Sequence, residues 1–327
     1  MHEDDGAVSR YLVTGCAGFI GSNLVDALLV DGHEIVGIDC FTDYYPRDRK
    51  ELNVARAREH DAFTLLEIDL AEEQLSALVA DVDGVFHLAA QAGVRASWGS
   101  SFEVYARNNV LATQRLLEAC VAAGVPKVIY ASSSSVYGDQ HELPLREEMM
   151  PRPRSPYGVT KLAGEHLCGL YHANHGLDTV SLRLFTVYGP RQRPDMAFHK
   201  FITAMLEGRE IAIYGDGSQT RDFTYVGDIV KGLVLARDAP AGAVMNLGGG
   251  NRVSLSEAIK TLGEVMGVEP KVSQEPAEAG DVRDTWADVR RAVDLIGYAS
   301  NTLLKEGLSQ EFGWLREETG EGHRASA

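Results

Sequence analysis

The sequence predicts an α/β protein built on a doubly wound parallel sheet, with a smaller, mainly C-terminal substrate-binding lobe. Three observations predict it. Short apolar runs alternate with stretches of helical spacing through residue 133. A glycine-rich turn, Thr14-Gly-Cys-Ala-Gly-Phe-Ile-Gly21, separates the first such pair. The next apolar run, Glu34–Asp39, closes on an acid about 20 residues further on.

Taken in order, residues 11–14 read as a buried strand and residues 19–29 as an amphipathic helix, so the glycines fall on the strand-to-helix turn. There a pyrophosphate can approach bare backbone at the positive end of a helix, which makes Gly15, Gly18, Phe19, Ile20 and Gly21 the expected contacts of a dinucleotide. Asp39 is placed to accept hydrogen bonds from ribose hydroxyls. Cys40 and Phe41 follow it, where a 2′-phosphate would call for an arginine, so NAD is expected over NADP; Arg47, Arg49 and Lys50 are the cations nearby that weigh the other way. Residues 41–50 read as a polar loop beside the cofactor. The third strand, 63–70, brings Asp69 and Leu70 to the adenine edge. The fourth, 82–90, ends in Leu88, Ala89 and Ala90, where small side chains let backbone lie against the cofactor. His87, alone inside that apolar strand, reads as a packed core residue. Residues 104–123 form a long helix carrying Asn108 and Asn109, the second of these expected at the cofactor, and the fifth strand begins at Lys127.

Composition narrows the function. A formal net charge of −16 argues against nucleic acid or an anionic membrane as partner, so any anionic ligand must be met by a local group of arginines. The four cysteines are scattered, without the spacing of a zinc site or a disulfide framework, and reduced thiols in the cytoplasm are expected. No metal is expected. No stretch approaches the roughly 20 apolar residues of a membrane span, and the acidic, polar head is unlike a signal peptide.

The fifth strand runs into Ser132-Ser-Ser-Ser-Ser-Val-Tyr-Gly138, which delivers hydroxyls at the end of the sheet where a substrate would meet the cofactor. Further on, Ser155-Pro-Tyr-Gly-Val-Thr-Lys161 opens a helix at Pro156 and sets Tyr157 and Lys161 four apart on one face. A neighbouring ammonium and a positive nicotinamide both favour the phenolate of a tyrosine, which could then take a proton from a sugar hydroxyl as hydride leaves the same carbon. Lys161 would also bond the nicotinamide ribose, and Ser133 would bridge to the reacting oxygen.

With these motifs in this order, the chain resembles the extended short-chain dehydrogenase/reductase family, in particular its NAD-dependent nucleotide-sugar epimerases and dehydratases, from residue 11 to about 315. His87-Leu-Ala-Ala90, Arg183-Leu-Phe-Thr-Val-Tyr-Gly-Pro190 and Arg221-Asp-Phe-Thr-Tyr-Val-Gly-Asp228 belong to the same resemblance. It implies a Rossmann domain, tightly held NAD returned unchanged after each turnover, and Ser133, Tyr157 and Lys161 as the catalytic triad.

Three features choose among the family's reactions. The dehydratases carry Asp-Glu just before Val-Tyr-Gly, as acid and base for removing water; this chain has Ser134 and Ser135, so dehydration is not expected. The segment from Phe185 to Met196 resembles that of the UDP-glucuronate 4-epimerases, with Thr186 where neutral-sugar epimerases usually have asparagine. Its Arg193 suits a carboxylate at C6, with Arg191 the alternative. Oxidation at C4 makes a β-keto acid, and a carboxylate held near the ring plane by Thr186 and Arg193 cannot align its breaking bond with the carbonyl π system. Third, the resemblance places Arg221 on the diphosphate and Asp281 near the ribose, with Glu278 replacing the family's usual arginine and Arg283 supplying the missing charge.

The expected activity is therefore 4-epimerisation of UDP-glucuronate to UDP-galacturonate without decarboxylation. The alternatives are a UDP-glucose 4-epimerase, a decarboxylating UDP-xylose synthase and, from a different class, a catalytically silent NAD-binding regulator. The expected division is a Rossmann domain of residues 10–187 plus about 225–250, a sugar-nucleotide lobe of 188–224 plus 251–316, and flexible ends at 1–9 and 317–327. The resemblance further implies a homodimer through helices at 102–123 and 157–174.

Overall fold

The computed structural model describes residues 8–276 and 282–318. Its central sheet has seven parallel strands. Six are β1 (Arg10–Thr14), β2 (Glu34–Asp39), β3 (Phe63–Glu67), β4 (Gly84–His87), β5 (Lys127–Ser133) and β6 (Asp178–Leu184), with an edge strand at Val244–Leu247. From β1 the sheet grows outward through β2 and β3 on one side, and through β4, β5, β6 and the edge strand on the other. The direction of winding reverses between β1 and β4, the crevice where doubly wound sheets bind ligands.

Side chains alternate across the strands as the pleat requires. Tyr11 and Val13 enter one core with the helices Phe19–Val30 and Val226–Leu235, while Leu12 enters the other with Ala112–Ala123 and Pro156–His175. Ile129 and Ala131 likewise join the first core, and Val128 and Tyr130 the second. Both faces of the sheet are thus buried, which explains why its strands read as nearly continuous apolar runs. A third cluster joins the helices Ala197–Leu206, Leu255–Met266 and Leu304–Glu318 to Ile211–Tyr214, which pairs in parallel with Val272–Glu275.

Three local expectations are corrected. Residues 41–50 are not merely a polar loop: Arg47–Asn53 is helical, and Phe41, Tyr45, Lys50 and Asn53 are buried. The burial is carried by amphipathic side chains, which apolar periodicity does not detect. The helix expected over 104–123 is interrupted by a π-helical stretch, Ala106–Leu111, where Asn109 turns inward to bond the backbone of Gln91. The third strand ends at Glu67, before Asp69 accepts a hydrogen bond from Ala71 N and turns the chain. At the C-terminal end the last helix continues through Glu318, which pairs with Arg49.

Candidate active site

A cleft of about 400 Å³ lies at the carboxyl ends of the strands. Its floor is the glycine turn. Gly15 has φ +70°, and a Cβ there would come within 2.9 Å of Ala89 Cα; at Gly21 a Cβ would lie 2.1 Å from Gly15 O. Only bare backbone fits, and the helix Phe19–Val30 starts there, with Phe19, Ile20 and Gly21 of its first turn lining the cleft. Gly15, Gly18, Phe19, Ile20, Gly21, Asp39, Asp69, Leu70, Leu88, Ala89 and Ala90 all line it.

Asp39 accepts from Phe41 N (2.8 Å) and Ala17 N (3.2 Å), one bond to each oxygen, which leaves lone pairs for ribose hydroxyls. Burial raises its pKa, and the Lys50 ammonium opposes that shift. Of the three cations that weighed toward NADP, Arg47 and Arg49 are paired with carboxylates away from the cleft lining, while Lys50 lines the cleft. Arg47 grips Glu67 (2.6 and 2.8 Å) and Glu51 (2.8 Å), Arg49 pairs with Glu318, and Lys50 Nζ donates to Thr42 O (2.8 Å). The residues present therefore fit NAD, with its pyrophosphate on the glycine turn and its adenosine ribose at Asp39.

Asn109 requires a correction. It does not line the cleft, although Asn108 does. Its Oδ1 accepts from Gln91 N (2.7 Å), and its Nδ2 donates to Gln91 O (3.0 Å) and Thr160 Oγ1 (2.9 Å), so both donors and one lone pair of the amide brace the loop after β4 against the helix Pro156–His175. His87 is the core residue it was expected to be. Thr14 Oγ1 and Thr113 Oγ1 hold its two ring nitrogens at 2.7 and 2.9 Å, and burial pulls its pKa to about 3, keeping it neutral.

On the other wall stand Ser133, Ser134, Ser135, Tyr157, Lys161, Thr186 and Arg193. Ser155 caps the helix Pro156–His175 by accepting from Gly158 N (3.1 Å), with Pro156 in its first turn, and this start aims Tyr157 and Lys161 inward together. Burial raises Tyr157, while a hydrogen bond from Ser133 and the charge of Arg193 pull it back down. Lys161 Nζ donates to Ala131 O (2.8 Å), and burial lowers its pKa to about 8.

One turn beyond Lys161, buried Glu165 accepts from Arg183 (2.8 and 2.9 Å) and from Ser132, tying the helix to the ends of β5 and β6. Sequence reasoning missed this brace, although Glu165 lies on the same helical face, eight residues from Tyr157. Tyr44, Tyr45 and Lys50, from the stretch read as lying beside the cofactor, line the cleft, and sequence reasoning missed Gln91–Val94, which line it from a loop without periodic signal.

Arg191 and Arg193 are clearly separated. Arg191 has φ +69° and turns back to Asp26 of the glycine-turn helix at 2.7 Å, whereas Arg193 lines the cleft. Arg221 Nη1 donates to Arg283 O (2.9 Å), which brings those two together on the smaller lobe, away from the cleft lining. Asp281 and Glu278 lie outside the described residues. Among the described residues, no group of His, Cys, Asp and Glu could hold a metal, and no helix is long and apolar enough to cross a membrane.

A Rossmann sheet with a dinucleotide turn, and a serine, a tyrosine and a lysine converging at its mouth, suits NAD-linked hydride transfer at a hydroxyl-bearing carbon. Residues 11–248 match the family model described as the NAD dependent epimerase/dehydratase family, and the chain belongs to that family. It is 43% identical to a Bacillus subtilis (strain 168) protein named as an uncharacterised UDP-glucose epimerase, YtcB, over 94% of this chain and 98% of that one. It is 37% identical to the UDP-glucuronate 4-epimerase of Thermodesulfobacterium geofontis (strain OPF15), over 94% and 96%. The crystal structure of UDP-glucuronic acid 4-epimerase from Bacillus cereus, in complex with UDP-glucuronic acid and NAD, superposes with a TM-score of 0.92 at 43% identity, covering 94% of this chain and 99% of that one.

Proposed function

We propose that this protein is an NAD-dependent UDP-glucuronate 4-epimerase that yields UDP-galacturonate without losing the carboxylate. The observation that carries the reading is that Thr186 and Arg193 open onto the same cleft as Ser133, Tyr157 and Lys161. A hydroxyl and a guanidinium beside the reacting carbon suit a C6 carboxylate and offer nothing comparable to a hydroxymethyl group.

Bound NAD supplies the hydride acceptor and donor at C4, so the sugar passes through a ketone with no net oxidation. Tyr157 accepts the proton of the 4-hydroxyl and later returns it, with Ser133 bonded to the same oxygen. Lys161, held by Ala131 O, keeps a positive charge beneath the phenol and reaches the nicotinamide ribose. Ser134 and Ser135 contact the sugar. Arg221 and Arg283, with Asp281, serve the nucleotide end of the substrate; the smaller lobe comprises residues 188–224 and 251–316. Phe102, Val104, Leu111, Val159 and Leu170 leave apolar surface on the helices flanking the cleft, which supports a homodimer through residues 102–123 and 157–174. We place the protein in the cytoplasm, in keeping with its four free cysteines.

Incubation with UDP-glucuronate, followed by NMR, tests the reading. UDP-galacturonate is expected; UDP-xylose, or no change, overturns it. The second reading, a UDP-glucose 4-epimerase, is favoured by the name of the Bacillus subtilis relative and predicts faster turnover of UDP-glucose. Tyr157→Phe is expected to lower kcat about 10³-fold, within the usual span of a lost proton acceptor. Full activity in that variant would remove Tyr157 from the proton transfer, whereas a wild type that binds NAD but turns over neither sugar would favour a silent NAD-binding regulator.

A further inference from the structure

The fork of Arg193 is already half occupied. Its Nε donates to Asp195 Oδ1 and its Nη2 to Asp195 Oδ2, both at 2.9 Å, and Tyr44 OH donates to the same Oδ2 at 3.3 Å. The pair is built into a tight turn. Met196 N bonds Arg193 O at 3.0 Å, with Pro194 fixing φ between the two charged residues, so their side chains converge by backbone geometry alone. Tyr44 reaches the pair from the loop after β2, and the Arg193 guanidinium stands 5.8 Å from its ring centre. Burial opposes ionisation of Asp195, but Arg193 outweighs it and holds the carboxyl below its ordinary value.

We propose that Asp195 is a positioning residue that, with Tyr44, holds Arg193 by one edge so that its Nη1 edge alone meets the sugar carboxylate and keeps it near the ring plane. The inference rests on the proposed uronate reading. A guanidinium has five N–H donors; the Asp195 edge takes Nε–H and one Nη2–H, leaving three on the side away from Asp195. Asp195 also sets a negative charge against Arg193. The clamp therefore acts through direction as well as through attraction.

Alignment decides the fate of the 4-keto sugar. When the C5–C6 bond stands parallel to the carbonyl π orbitals it breaks, its electron pair passes into the C4 carbonyl, carbon dioxide leaves, and C5 takes a proton from water. The product is a UDP-4-keto-pentose. Held in the plane, the bond cannot deliver its electrons, and the ketone waits for hydride.

Asp195→Asn tests this, because it keeps the size of a side chain that is 35% exposed while removing its charge and one of its two acceptors for Arg193. The ratio of decarboxylated to epimerised product, read by NMR, is expected to rise at least tenfold over the wild type. KM for UDP-glucuronate should stay level or fall, since a countercharge has been removed, and calorimetry should show UDP-glucuronate favoured over UDP-glucose at least as strongly as before. Tyr44→Phe should move the ratio the same way by a smaller factor, and Asp195→Glu should restore part of it. An unchanged product ratio overturns the proposal, as does a KM that rises alike for UDP-glucuronate and UDP-glucose, the mark of a merely structural role. Failure of the underlying reading would show separately, in a wild-type enzyme that makes no UDP-galacturonate.

Discussion

The two walls of the cleft are made of different materials. The cofactor wall is backbone: Gly15 and Gly21 admit no Cβ, the helix Phe19–Val30 begins there, and Asp39 takes backbone bonds on both oxygens. The sugar wall is side chain: Tyr157, Thr186 and Arg193 reach in from a helix, a short strand and a turn. A wall of backbone recognises the shape of the cofactor, common to every member of the family, whereas a wall of side chains can be rewritten one residue at a time. General binding and specificity are thereby separated in space.

Four substitutions test the separation. The largest effect is expected from Gly21→Ala, whose Cβ must displace the carbonyl of Gly15. Bound NAD, measured after acid release, should fall below a tenth of the wild type, and turnover of UDP-glucuronate and UDP-glucose should drop together by 100-fold or roughly more. A selective loss would break the comparison. Next, Arg193→Met should raise KM for UDP-glucuronate by about 10- to 100-fold, the usual worth of a hydrogen bond between charged groups, while leaving UDP-glucose within about threefold. An equal effect on both sugars would place Arg193 away from C6.

Lys161→Met should lower kcat yet stabilise the fold. The folded protein releases the Lys161 proton at about 8, the unfolded chain at about 10.4. Between those values the unfolded state binds more protons, so wild-type stability rises with pH across that window and the charged side chain costs the fold up to ~3 kcal/mol below it. The variant should melt higher at pH 7, and its denaturant midpoint should lose that alkaline rise. The smallest effect belongs to Arg191→Ala. Arg191 is spent on Asp26, so uronate KM should change less than about threefold while stability falls by about 1 kcal/mol.

Much of the backbone-built wall was legible because its chemistry is local. Glycines at Gly15, Gly18 and Gly21, an acid at Asp39 and small residues at Ala89 and Ala90 each act where they stand in the chain. The tyrosine helix was legible for the same reason, through Ser155, Pro156 and the spacing of Tyr157 and Lys161. What escaped depends on pairs far apart in sequence. Arg191 and Arg193 look alike on paper, and only Asp26, 165 residues away, shows which one is engaged. Asn109 looked like a ligand contact until Gln91 and Thr160 were seen to consume its amide. Tyr44 sits in a stretch without periodicity, and its partner Asp195 is 151 residues off.

The helix that opens at the glycine turn also grips the other wall: Asn23 Nδ2 donates to Pro190 O at 3.2 Å, and Asp26 holds Arg191. Occupancy of the dinucleotide site and affinity for the uronate are then two readings of one mechanical frame. By thermodynamic reciprocity, whatever factor the cofactor adds to sugar binding, the sugar returns to retention of the cofactor. An enzyme that must never release its hydride carrier midway gains most from that exchange when substrate is abundant.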